Sequence, residues 1–213
     1  MYRFLLIIYS LLISLTMSAY EHIYPDLNDL DAILNRHNEI TLAKIQSIES
    51  KKYILVNTDS MTERYNICDS LFHDYSSFQL DSALSYANRK LKIAKQLQDR
   101  KHIDRSIIEM ANMYIQAGMN MQSYELLQQL DRSQLDPALL QDYYSINNNL
   151  YEFLSQFALN KTIRDGYKQT AKAYRDSVLM HEPNDMFVYT YSLLSDGKYQ
   201  KGLNILLNYF EGL

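Results

Sequence analysis

Residues that could do chemistry occur throughout this chain, but their spacing does not assemble a reaction centre. The five histidines, His22, His37, His73, His102 and His181, read as scattered, without a helical i, i+4 pair or a nearby acidic partner that would suggest zinc. The single cysteine, Cys68, cannot close an internal disulfide and is expected to be a small buried apolar residue. Gly197-Lys198 lacks the preceding glycine of a phosphate-binding loop and reads as a hairpin turn. No Gly-x-Ser-x-Gly elbow supplies a hydrolytic nucleophile. Asp26, Asp29 and Asp31 stand at a helix start, where the positive end of the dipole favours acids, and Glu182 and Asp185 flank Pro183 in a loop. The expectation is a protein with no catalytic residue, no metal and no cofactor, hence not an enzyme.

Recognition chemistry is better supplied. The chain has 19 tyrosines, and tyrosine joins broad apolar contact to a hydroxyl that needs a partner. Tyr143, Tyr144, Asn147, Asn148 and Tyr151 fall close together on one helical stretch, with Asn147 and Tyr151 on the face of Tyr144 and Asn148 beside it. Upstream, Arg105, Ile108, Asn112, Ile115 and Gln116 map to the same side of the preceding helical pair. Stacked helical hairpins line a concave groove with the first helix of each pair. The candidate groove residues are therefore Arg105, Asn112, Gln116, Tyr144, Asn147, Asn148 and Tyr151, and the expected ligand is a protein or peptide. A small-molecule carrier would instead need a closed pocket with converging polar groups.

Helices must hold these residues, because 5 glycines and 3 prolines leave little room for a turn-rich β fold. Within residues 104–135, Ile107, Met110, Ala111 and Tyr114 recur at i, i+3, i+4, i+7, Gly118 turns the chain, and Ser123, Leu127 and Leu130 follow. Small side chains at Ala111 and Ser123 let two helices approach closely, which is the pattern of a tetratricopeptide hairpin. Residues 61–97 align to it, with Tyr65, Leu71, Phe72 and Tyr75 in the first helix and Asp81 capping a second that carries Ala83, Ala87, Leu91 and Ala94. Residues 137–181 form a third pair, started by Asp136 and Pro137. Its first helix, over 138–160, is expected to be buried on most sides, and its partner, over 166–181, turns Ala171, Tyr174, Val178 and Leu179 inward. Residues 186–213 turn at 195–199 and place Gly202 ahead of Leu206 and Tyr209.

The small positions Ala83, Ser123, Ala171 and Gly202 lie 40, 48 and 31 residues apart. A regular array repeats every 34 residues or so, so the third repeat is enlarged by longer helices or a longer turn. A further helix over 27–55 precedes the hairpins as a cap. The fold class is all-α, a tetratricopeptide-like α-solenoid of three to four irregular hairpins in a single domain over 20–213.

Residues 1–19 have the shape of a signal peptide: Arg3, an apolar run over 4–15, then Ser18 and Ala19. That run is shorter than the roughly 20 residues a membrane-spanning helix needs. Export to the periplasm is expected, with cleavage after Ala19 and no stable span thereafter, and an uncleaved N-terminal anchor is the alternative. A net charge of -4 gives no broad attraction to nucleic acid or to an anionic bilayer. The last helix offers Leu206, Leu207, Tyr209, Phe210 and Leu213 where an array usually ends in a polar face, so a further repeat or a partner protein is expected to cover it.

Three stretches carry a family resemblance: the acidic run over 27–33, residues 75–86 with Phe78, Asp81, Ser82 and Ala83, and residues 111–118. On them the chain resembles the exported sensor half of membrane-bound tetratricopeptide-repeat regulators found in Bacteroides and its relatives. The resemblance implies a non-catalytic sensing scaffold. Such regulators continue into a membrane-spanning helix, a coiled coil and a cytoplasmic helix-turn-helix-like end, whereas this sequence stops at Leu213. The expectation is the sensing portion of a truncated regulator, or a stand-alone periplasmic adaptor.

Overall fold

The computed structural model describes residues 27–211, and among them it contains nine α-helices, two 3-10 turns and no strand. Two compact units divide the chain, Met1–Tyr53 and Ile54–Leu213. In the first unit the described residues belong to α1 (Leu27–Asn57), whose Ile33, Leu34, Ile40, Leu42 and Ile45 are exposed and whose Ile48 is buried. The expected span of 27–55 is two residues short of its observed end. The signal segment over 1–19, the stretch around Pro25, Asp26, and the side chains of Asn28, Asp29 and Asp31 lie outside the described residues. No described helix is long and apolar enough to cross a membrane.

The second unit is a run of four helical pairs: α2 (Met61–Ser76) with α3 (Leu80–Leu97), α4 (Arg100–Gln116) with α5 (Asn120–Leu127), α6 (Leu140–Phe157) with α7 (Lys161–His181), and α8 (Met186–Ser195) with α9 (Tyr199–Glu211). Successive pairs touch through α3 and α4, through α4 and α5 against α6, and through α7 and α8. Each contact puts small residues where backbones approach: Ala83, Ala87, Ala94, Ala111, Ser123 and Ala171 have no exposed surface. A β-carbon on Gly202 would stand 3.0 Å from Leu194 Cδ2, so α8 and α9 meet at that glycine. Cys68 is buried, as its type suggests. Across α2 and α4 the Tyr65 hydroxyl lies 3.4 Å from Ser106 Oγ, and burial pushes this phenol up to about 12.

Caps set the helix starts. Ser60 Oγ accepts from Glu63 N–H at 3.3 Å, Asp99 from His102 at 3.1 Å, Asn160 from Ile163 at 3.2 Å and Asp185 from Val188 at 3.0 Å. Two expected starts are corrected by these bonds. The helix placed from 104 begins at Arg100, because Asp99 caps it, and Asp104 is a buried residue one turn in, held by Arg100 Nε at 2.9 Å. The helix placed from 166 begins at Lys161 for the same reason. Asp81 is not a cap: α3 starts after Gln79 with no side-chain bond, and Asp81 acts only as an acid in the first turn.

Gly118 and Gly197 adopt positive φ, 73° and 76°, at the turns of the second and fourth pairs, a conformation that glycine reaches without strain. The enlarged third spacing has two sources. After Leu127 the chain runs through 3-10 turns at Arg132–Gln134 and Pro137–Leu139, anchored by buried Leu130, Leu135 and Leu139, and α6 and α7 are then 18 and 21 residues long. Asp136 accepts from Ala138 N–H at 2.9 Å with Pro137 in the first position, as the sequence predicts, though the turn they open is 3-10 and leads into α6.

Candidate functional site

The first helices of the last three pairs converge on one open groove of about 580 Å³. From α6, Asn148, Glu152 and Gln156 recur at i, i+4, i+8, with Asn149 and Phe153 beside them. Ile115 closes one end from α4, and Phe187, Val188 and Tyr191 form the opposite wall from α8. Arg175 enters from α7, the helix behind.

Arg175 is 2% exposed, and its charge is met locally. Its Nη1 donates to Glu152 Oε1 at 2.8 Å, and its guanidinium carbon lies 5.3 Å from the centre of the Tyr191 ring. Burial, followed by the negative charge of Glu152, pushes the Tyr191 hydroxyl above its ordinary range. The same Arg175–Glu152 pair also lines a second opening of about 360 Å³, beside Lys168, Lys172, Ser195 and Asp196. Two polar atoms of the groove residues have no protein partner, Arg175 Nε and Asn148 Oδ1. Both atoms are themselves buried, so the polar groups the groove presents to a ligand are the exposed amides of Asn149 and Gln156.

Of the seven candidate groove residues, Asn148 lines this cavity, joined by Ile115. Tyr144 and Asn147 are corrected to interior positions, 3% and 2% exposed. Tyr144 lies among Tyr143, Tyr174 and His181, with ring centres 5.7, 6.4 and 5.5 Å away, and under Arg132 at 5.1 Å. Asn147 donates back to the Tyr143 carbonyl at 2.8 Å. Tyr151 is half-buried and stacks on Tyr174 at 5.8 Å, and burial raises its hydroxyl pKa. The cause is common to all three: α6 is covered by α7 on this side, so the tyrosine face becomes an interhelical seam. Arg105 and Asn112 are half-buried and Gln116 is exposed, and none of them lines the groove. Ile108 is core. Phe157, at 68% exposed, departs from the expectation that its helix would be covered on most sides.

A second cluster overturns the reading of the histidines. Asp69 and His73, four residues apart on α2, meet Glu109 from α4, and the three ligand atoms lie within 4.8 Å of one another. His73 Nε2 is 3.8 Å from Asp69 and 3.9 Å from Glu109. His102 also has an acidic neighbour, Asp99, 2.7 Å away. Beneath His73, however, the fully buried Lys90 of α3 donates to Asp69 Oδ1 at 2.6 Å and to Glu109 Oε2, with its ammonium 4.4 Å from the Phe72 ring centre. The cation these carboxylates require is supplied by the chain itself.

Among known proteins, the family described as the SusR N-terminal TPR domain matches residues 34–213. No curated protein and no solved structure matches the chain.

Proposed function

Because that match covers residues 34–213, the chain belongs to the family of SusR N-terminal TPR domains, and on this premise we propose that it is the non-catalytic sensing scaffold of a membrane-bound regulator. In this reading the domain is exported to the periplasm and binds a protein or peptide in the groove of α4, α6 and α8. The observation that carries it is an open groove in which an apolar wall of Phe153, Phe187, Val188 and Tyr191 lies beside the exposed amides of Asn149 and Gln156. An extended main chain hydrogen-bonds to such amides while its side chains meet the wall. The groove sets no nucleophile against a base, since its one carboxylate, Glu152, is engaged by Arg175.

A displayed library of short peptides, selected on the purified domain, tests this. Peptides enriched on the parent should lose binding to Asn148→Ala/Phe187→Ala while the melting temperature stays nearly unchanged, because Phe187 is largely exposed. Enriched peptides that bind the double variant equally well, or no enrichment at all, would sink the groove assignment.

A further inference from the structure

We propose that the first helical pair carries a second binding surface, distinct from the groove, in which Arg64 of α2 and Arg89, Lys92 and Lys95 of α3 take an acidic peptide segment. Two adjoining depressions, of about 440 and 450 Å³, share Lys92 and Gln96. No carboxylate lines either one.

Cations gathered without a carboxylate mark this surface first. Lys90, Arg100, Lys101, Lys172, Arg175 and Lys198 each have a carboxylate within ion-pairing distance. Among the described residues none lies that close to Arg64, Arg89, Lys92 or Lys95, and the same is true of Arg105, Arg132, Lys161, Arg164, Lys168 and Lys201, but the first four gather around adjoining depressions that no carboxylate lines. Like charges grouped within a screening length of about 8 Å repel one another, and an anion seated among them relieves that repulsion.

Geometry is the second argument. Asn88, Lys92 and Lys95 follow i, i+4, i+7 along α3, so they form one stripe, flanked by Arg89 and Gln96 and faced by Arg64 from α2. Arg89 is held with its guanidinium 5.5 Å from the Tyr86 ring centre, which limits the freedom it loses on binding. From 88 to 96 the stripe is roughly 12 Å long at the helical rise. That is the reach of three or four extended residues at about 3.3 Å each, enough for acids at alternate positions. The amides of Asn88 and Gln96 line the depressions with hydrogen-bonding groups, which suits discrete carboxylates better than a bilayer surface.

The test uses the full chain and a labelled Glu-Ser repeat peptide, with its Gln-Ser counterpart as the neutral control. Fluorescence anisotropy should show binding of the acidic peptide alone. Affinity should fall about tenfold when salt is raised from about 0.05 to about 0.3 M, as expected for screened surface charges. Lys92→Glu/Lys95→Glu should lose at least about tenfold in affinity, and Lys92→Gln/Lys95→Gln should lose less, both with unchanged circular dichroism. Asn148→Ala should bind like the parent, which separates this surface from the groove. Equal binding of the neutral peptide, indifference to both charge variants, or charge-dependent binding to phosphatidylglycerol vesicles without binding to the peptide would each overturn the proposal.

Discussion

Lys90 has no exposed surface, yet it shares the inner face of α3 with Ala83, Ala87 and Ala94. Its stem fills core space and its ammonium joins α3 to Asp69 on α2 and Glu109 on α4, so one side chain ties three helices. Removing one partner of a buried ion group leaves the others uncompensated, at a cost of about 3 kcal/mol or more. Lys90→Met should therefore lower stability by about 3 kcal/mol in urea unfolding, near the lower end because Asp69 and Glu109 keep roughly a quarter of their side-chain surface in water. Adding Asp69→Asn and Glu109→Gln to Lys90→Met should recover part of that loss. No recovery would mean that the lysine stem, not its charge, holds the helices. Arg175 repeats the arrangement on α7, at i+4 from Ala171 and three residues before Val178. Both cations were hidden in the sequence for one physical reason. A search for an apolar stripe passes over a charged residue on that stripe, although a lone cation between buried alanines is itself a sign of a carboxylate on a neighbouring helix. The Asp69–His73 spacing was legible too, but its meaning depends on Glu109, forty residues from Asp69, which only the fold brings near.

The helices themselves were largely readable, because close-packed hairpins demand small residues at fixed places and the chain supplies Ala83, Ser123, Ala171 and Gly202 there. Starts were less readable, since apolar periodicity begins one turn inside a helix while the boundary is set by a cap. Asp99 is such a cap: bonds from the His102 backbone N–H, then from the His102 side chain, hold its carboxyl below the ordinary 3.8. A depressed folded value contributes stability that is present above the unfolded pKa and lost as pH falls through the folded one. The stability curve should therefore drop below about pH 4, the ordinary aspartate range. Asp99→Asn, which keeps an acceptor, should flatten that part of the curve, whereas Asp99→Ala should cost about 1 kcal/mol at neutral pH. An unchanged acid limb in Asp99→Asn would assign the pH dependence to other carboxylates. Between α8 and α9 the governing residue is Gly202. A β-carbon there meets Leu194 at 3.0 Å, and a larger side chain must separate the helices. Gly202→Leu should cost about 2 kcal/mol through overpacking, read as a lower urea midpoint with an unchanged slope. A neutral result would show that Leu194 moves aside freely.

In a solenoid each pair touches only its neighbours, so a surface that no neighbour covers stays in water whatever the stability of the rest. The stacking order follows from the sequence, but the groove does not. Which residues of α6 face it depends on how α8 is set against α4, and a single-helix face cannot reveal that. Asn148, chosen only for its place beside the Tyr144, Asn147 and Tyr151 face, lines the groove because it begins the i, i+4, i+8 line that continues through Glu152 and Gln156. Tyr144 was misplaced because tyrosine suits an interhelical seam as well as a recognition surface. The same reasoning leaves one large apolar stripe unexplained by the described neighbours. On α9, Leu203, Leu207 and Phe210 recur at i, i+4, i+7 and are 48, 48 and 63% exposed, beside the side where Gly202 meets α8. A contiguous apolar stripe of this kind marks an interaction surface. A further repeat or a partner protein covering it, as the sequence led us to expect, would bury all three side chains together. The purified chain should accordingly bind an exposed-hydrophobe dye and self-associate with rising concentration. Leu203→Glu/Leu207→Glu should reduce dye fluorescence and shift sedimentation towards the monomer with the melting temperature nearly unchanged, because both side chains are about half exposed. If the variant unfolds instead, these residues belong to the core of the last pair. If dye binding and sedimentation are unchanged, the exposed stripe is not what the chain associates through, and the exposed face of α1 becomes the next surface to test.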